Sequence, residues 1–188
     1  MIFTYSLTSI GWADIHLKIA EEEIYIFPSY LSEPLVDLVK SIEQLIPEYV
    51  PAGELKQQVQ FDMDSEPAIH TWKIDKINED KIEIIINCYE DGIKTLPGKQ
   101  VFKGQCYLND FITVVVQSME LLLENHGFIG YQKQWYGQDF PISSYLQLKY
   151  YSLNKSNFPT KITNPNEWIE KIETDLFKEI RLIVKGIL

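Results

Sequence analysis

The stretch from Leu108 to Gly127 constrains this chain more than any other. Among its polar residues, Thr113, Gln117, Glu120 and Glu124 recur at steps of four, three and four, so a helix gathers them into one narrow stripe. Around them stand Phe111, Ile112, Val114, Val115, Val116, Met119, Leu121, Leu122 and Leu123. A helix wet along one line and apolar elsewhere must be wedged between a sheet and other helices. Asn109 or Asp110 is placed to cap its start, and Gly127 to end it in a left-handed conformation.

The residues before this helix read as the sheet. Phe3, Tyr5 and Leu7 alternate with polar neighbours, and after Gly11 the alternation resumes through Ala13, Ile15, Leu17 and Ile19. A charged turn at Glu21–Glu23 leads to Ile24–Phe27, which Pro28 ends, so the opening is a β-meander. Ser32 as cap and Pro34 in the first turn then start a helix. Its stripe is Leu35, Leu38, Val39, Ile42, Leu45 and Ile46, and Pro47 stops it. A connector from Pro47 to Gly53 follows. Strands are predicted around Val59–Met63, over Ile69–Ile77, around Ile82–Cys88 and over Val101–Tyr107. Their short, turn-rich connections favour antiparallel pairing.

Beyond the central helix, aromatic residues crowd a stretch of weak periodicity. A short helix near Tyr131–Trp135 is predicted, with irregular chain to Pro141; Ser144–Leu153 reads equally as helix or edge strand. A closing helix is expected from Asn164 as cap, with Pro165 in its first position and Glu167 at the capping-box site. Its buried stripe would be Ile169, Ile172, Leu176, Ile180, Ile183 and Ile187. The expected fold is therefore a single α+β domain over residues 1–188. It has a mainly antiparallel, meandering sheet of about six strands and three long helices packed largely on one face.

Charge narrows the function. The 188 residues carry a formal net charge of −10 with no basic cluster, a field that repels phosphate backbones and disfavours nucleic acid. An acidic surface instead suits a basic protein partner, a cation, or plain solubility. The N-terminus lacks a basic leader followed by an apolar run, and no run reaches a membrane span of ~18–20 residues. The expected compartment is the cytoplasm, where Cys88 and Cys106 stay reduced. No motif asks for a cofactor.

Three groups of residues are candidates for chemistry. Asp62, Asp64 and Glu66 form an acidic cluster at alternate positions, and carboxylates two residues apart on a strand point the same way, which suits a hard cation. However, Pro67 stands where an EF-hand loop needs glycine, and Lys73 where it needs a bidentate glutamate. Glu66 and His70 could act as an acid–base pair, since a regular strand would put both near one sheet face. With Asp64 they make the hydrolase or ligand-binding alternative. No GxSxG, HExxH, P-loop or GxGxxG is present, so a non-catalytic role is the leading expectation. The third group, Tyr131, Trp135, Tyr136 and Phe140, carries the rigid amphipathic area typical of protein-binding hot spots, beside Gln132, Gln134 and Gln138. Its competing reading is a satellite core under a long loop.

Trp72 separates packing from contact. Along Ile69–Ile77 it shares a face with His70 and Ile74, which predicts a buried indole whose N–H needs an acceptor.

The segment Glu66-Pro67-Ala68-Ile69-His70-Thr71-Trp72 resembles a group of small uncharacterised bacterial proteins that place an acidic-Pro pair ahead of a strand tryptophan. Ser29-Tyr30-Leu31 and His126-Gly127-Phe128-Ile129-Gly130-Tyr131, followed by Trp135 and Phe140-Pro141, are similar to the same group. The resemblance covers roughly residues 11–145 and implies no activity. Proteins of this size and acidity often sit in bacterial toxin–immunity systems. That analogy adds an immunity-like inhibitor of a basic partner to the expectations.

Overall fold

A computed structural model describes residues 1–47, 49–50 and 53–187. The opening meander is β1 (Ile2–Ser9), β2 (Trp12–Ile19) and β3 (Glu22–Ile26), antiparallel in that order. Its alternation buries Phe3, Tyr5, Ala13, Ile15, Leu17 and Ile26 on one face. Helix α1 (Pro34–Glu43) follows, with Pro34 in its first turn. Four strands then form a second antiparallel sheet in sequence order: β4 (Gln58–Ser65), β5 (Ala68–Lys76), β6 (Lys81–Tyr89) and β7 (Lys99–Tyr107). Helix α2 (Leu108–Gln134) leaves β7 without a loop, and α3 (Ile142–Asn154) follows it. A two-stranded hairpin, β8 (Thr160–Thr163) and β9 (Lys171–Thr174), precedes α4 (Leu176–Ile187).

The α+β class and the antiparallel pairing agree with the sequence; the layout does not. The expected sheet of about six strands is divided into three, four and two, and there are four helices rather than three. Pro28 ends β3 and the chain leaves for α1, so β3 packs beside β7 by its side chains and not by a ladder. The sheets approach closely there: a Cβ added at Gly104 would stand 3.0 Å from the Cβ of Ile19. Nor do the helices share one face. Helix α1 lies against β4, whereas α2 runs along β1 and also touches β7.

Helix α2 keeps the expected character. Phe111, Ile112, Val115, Met119 and Leu122 are buried, and Gln117 and Glu124 are exposed. Gly127 interrupts it at φ 61° and ψ 179°, a positive φ with an extended ψ rather than the expected left-handed stop, and a second helical segment resumes at Phe128 and runs to Gln134. Neither Asn109 nor Asp110 caps it: Tyr107 occupies that position, without a side-chain cap. Likewise Glu33, not Ser32, precedes α1, because the Ser32 hydroxyl instead accepts the Asp64 N–H at 2.9 Å. One polar residue of α2 lies off the stripe. Ser118 is buried and accepts the Tyr5 N–H at 2.6 Å, satisfying a donor on the edge of β1 that the helix covers.

The C-terminal expectation is overturned. Asn164 and Asn166 take left-handed φ of 53° and 64° in the hairpin connection, so no helix starts there. The actual cap is Asp175, whose carboxylate accepts the Phe177 and Lys178 N–H groups at 2.9 and 3.3 Å. The supposed buried stripe is largely exposed at Ile169, Ile172, Leu176 and Ile180, while Leu182 turns inward. Ile187's side chain lies outside the described residues, as does part of the Pro47–Gly53 connector. The open choice at Ser144–Leu153 resolves as helix.

Lys149 of α3 is buried where α2, α3 and α4 meet. Its ammonium pairs with Glu120 at 2.6 Å, donates to the Tyr145 hydroxyl at 3.0 Å and bonds the Leu182 carbonyl. Losing one partner of such a pair leaves an uncompensated charge, at about 3–5 kcal/mol. Lys149→Met should therefore destabilise by that amount in urea melts, and Glu120→Leu added to it should restore most of the loss. Trp72 is fully buried at 0% exposure and stacks on Phe61 at 5.8 Å, as its place beside Ile74 predicts. Its Nε1 has no acceptor, so it keeps a desolvation penalty of ~1–3 kcal/mol that indole packing outweighs. Trp72→Ala should cost ~3–5 kcal/mol; an unchanged melting temperature would contradict that burial.

Candidate functional site: an acidic corner

The strongest convergence of polar groups lies where β4 ends, α1 begins and α2 finishes. Four chain segments are sewn together there. The N–H of Ser29 donates to the Asp64 carbonyl at 2.7 Å, and that of Gly11 to the Gln134 carbonyl at 2.8 Å. The Tyr30 N–H returns to the Gly11 carbonyl at 2.9 Å. Only glycine fits at position 11. Its φ is +75°, and an added Cβ would come within 2.8 Å of both the Tyr30 and Tyr136 rings. Those two rings stack at 4.2 Å, both exposed, and form an aromatic ledge.

Beside the ledge stand Glu33 and Asp37, one helical turn apart at the start of α1. A helix N-terminus ordinarily holds carboxylates ionised through its dipole. Here burial raises the Glu33 pKa, the charge of Asp37 raises it further, and a hydrogen bond from the Trp135 indole opposes both. Burial likewise raises Asp37, helped by Asp62. Beneath Glu33 lie two phenols, Tyr131 and Tyr5, each pushed up chiefly by burial and partly by the Glu33 charge. The Tyr5 hydroxyl has no hydrogen-bond partner. Among the described residues neither Glu33 nor Asp37 forms an ion pair. The corner is a half-buried negative field without a resident cation.

The predicted residues fall around it as follows. Asp62 and Asp64 share a strand face, but Asp62 is neutralised: it pairs with Lys94 at 2.6 Å and accepts the Thr71 hydroxyl at 2.7 Å. Lys94 is positioned by a loop wrapped on Asp91. The Thr95 hydroxyl, then the N–H groups of Leu96, Thr95 and Lys94, hold the Asp91 carboxyl at about 2. Asp64 accepts the Glu66 N–H at 3.0 Å. Among the described residues no group of three or more His, Cys, Asp or Glu side chains is arranged to hold a metal. Glu66 and His70 do not share a strand face. Glu66 sits in the turn between β4 and β5 at φ 28°, while His70 faces inward opposite Met63. His70 meets the Ser65 hydroxyl at 3.0 Å, and burial lowers its pKa, so it is a packed neutral ring. Burial also raises both thiols, Cys106 to about 12, far from a reactive thiolate.

The aromatic candidates divide. Tyr131, Trp135 and Phe140 are buried, and Phe140 joins Phe128, Tyr131 and Tyr145 edge-to-face, the satellite core that was the competing reading. Only Tyr136 reaches the surface, 60% exposed. The sequence reading missed Glu33, Asp37 and Tyr30. An acidic pair flanking Pro34 was visible, yet nothing in its spacing announces that Trp135 and Tyr131 fold onto it.

No family model, curated protein or solved structure matches the chain. Among the described residues no helix is long and apolar enough to cross a membrane.

Raised carboxyl pKa values in the folded state fix a sign. Folding holds these protons more tightly than the unfolded chain, so the stability they contribute is full at acid pH and is lost as pH rises through the folded pKa. Glu33→Gln retains an acceptor for Trp135 without the charge. It should raise the melting temperature at pH 7 and leave it nearly unchanged at pH 4, read by thermal scans across that range.

Proposed function

We propose that this protein is a non-catalytic protein-binding module whose acidic corner receives basic side chains of a partner, as an immunity-like inhibitor of a basic protein would. The observation that carries the reading is the unpaired, half-buried Glu33–Asp37 couple beside the exposed Tyr30–Tyr136 stack. A lysine or arginine entering there gains two carboxylates whose mutual repulsion it relieves and a ring face for cation–π contact. The net charge of −10 adds long-range attraction for the same class of partner. The resemblance to small bacterial proteins and the toxin–immunity analogy point the same way. No observation favours the hydrolase alternative, since Glu66 lies in the β4–β5 turn with its N–H on Asp64, while the His70 ring meets the Ser65 hydroxyl.

The test is affinity capture from the native host using the wild-type protein and a Glu33→Gln/Asp37→Asn variant. The expected result is one basic protein retained by the wild type and lost, at least tenfold in affinity, by the better-folded variant. Its association rate should fall steeply with added salt, because charges farther apart than ~8–10 Å are screened. A small metabolite as the sole reproducible ligand, or a partner indifferent to both salt and the double substitution, would overturn the reading.

A further inference from the structure

The C-terminal segment exposes more apolar surface than a single copy explains. Trp168 is 101% exposed, Phe177 75% and Leu176 62%, with Ile172, Ile180 and Ile162 also open to solvent. Along α4, Phe177, Ile180 and Val184 follow a three-then-four step and line one outward face, opposite Leu182, which docks the helix. Ile162 and Ile172 are cross-strand partners in the hairpin and share its face. Summed over the hairpin and α4, these side chains leave on the order of 800 Å² uncovered, about one side of a standard interface.

Charge indicates the occupant. Residues 160–187 carry five acidic and five basic side chains, so the −10 belongs entirely to the rest of the chain. Within this neutral segment the signs are separated. From 160 to 175 there are four acidic and two basic residues, and from 176 to 187 one acidic and three basic. A two-fold contact repeats each pairing, so a helix excess of +2 can lie over the partner copy's hairpin excess of −2, twice. The −10 lies outside this segment, so a contact made through it keeps that repulsion at a distance. We infer that the β8–β9 hairpin and α4 form a self-association surface. A second copy of this chain packs through Trp168, Phe177 and Ile180, with each α4 laid across the other copy's hairpin. This face is separate from the acidic corner, so its fate does not decide the binding proposal.

Sedimentation velocity on the full chain from about 1 to 100 μM tests the inference across the range of weak to moderate dimers. The expected result is a concentration-dependent monomer–dimer equilibrium. Trp168, the one tryptophan of the four that is fully exposed, should shift its emission to the blue as the dimer forms. Phe177→Glu and Trp168→Ser replace exposed side chains, so each should keep the wild-type circular dichroism melt of the monomer. Each should also weaken dimerisation at least tenfold. Mixing Arg181→Glu/Lys185→Glu with Glu170→Lys/Glu173→Lys should restore association that either variant lacks alone. A chain that stays monomeric at the highest concentration overturns the inference, whether or not it then binds lipid vesicles or another protein. So does a dimer indifferent to Phe177→Glu.

Discussion

The constraint on which the structure depends is the one-sidedness of the four-stranded sheet. Period-two alternation puts Val59, Met63, Trp72, Ile74, Ile82, Ile84, Ile86 and Phe102 on one face, all buried. Each is worth about 1.5–3 kcal/mol when removed from water, more than any single polar contact in the molecule returns. That face must be covered, and the covering dictates the order of the rest. The end of β2 and β3 close over β7, and α1 closes over β4. Strand β1 is left at the outer edge, where α2 covers it. The acidic corner is a by-product of this closure: the turn at Gly11 and the end of α2 meet the start of α1 because each element is already committed to its layer.

Covering a sheet with a nearly all-apolar helix leaves polar obligations, and they are met by few residues. Ser118 serves the edge of β1, and Lys149 joins three helices around one charge. Trp72 Nε1 and the Tyr5 hydroxyl go unserved. The first lies in a packed sheet, where shape outweighs a lost hydrogen bond. The second lies beneath Glu33, where the neighbouring hydroxyl and carboxylate form the most concentrated polar group in the fold. Unmet polar groups are tolerated where packing leaves no choice.

The strands were legible because alternation is a local signal, and β1 to β7 all lie where the sequence places them. Gly127 was legible as a break for the same reason, since a positive φ depends on one residue, whereas the helix resuming beyond it was not. The C-terminus misled because Asn164-Pro165-Asn166-Glu167 imitates a capping box, while the working cap, Asp175, follows a strand of only four residues. What sequence could not convey was which side of the aromatic stretch faces in. Tyr131 and Trp135 are drawn inward by partners more than ninety residues away, Tyr5 and Glu33, and no periodicity encodes that meeting. The acidic cluster misdirected attention for a related reason. Asp62 looked available because Lys94, thirty-two positions on, is brought to it only by the loop wound on Asp91.

The distribution of paired and unpaired charge then gives the surface its meaning. On the outer faces of the sheets, four acids are matched by neighbours: Lys73 with Asp75, Lys103 with Glu83, Lys18 with Glu23, Lys94 with Asp62. Such exposed pairs add only about 0–1 kcal/mol each. Glu33 and Asp37 are half-buried and, among the described residues, have no such pair. The Trp135 bond favours the charged form of Glu33, yet burial and the Asp37 charge outweigh it, while burial and the Asp62 charge raise Asp37. Two like charges kept together against such a penalty, beside a rigid aromatic stack, are not a stability device. That cost is relieved by protonating either carboxyl or by bringing a positive group beside them.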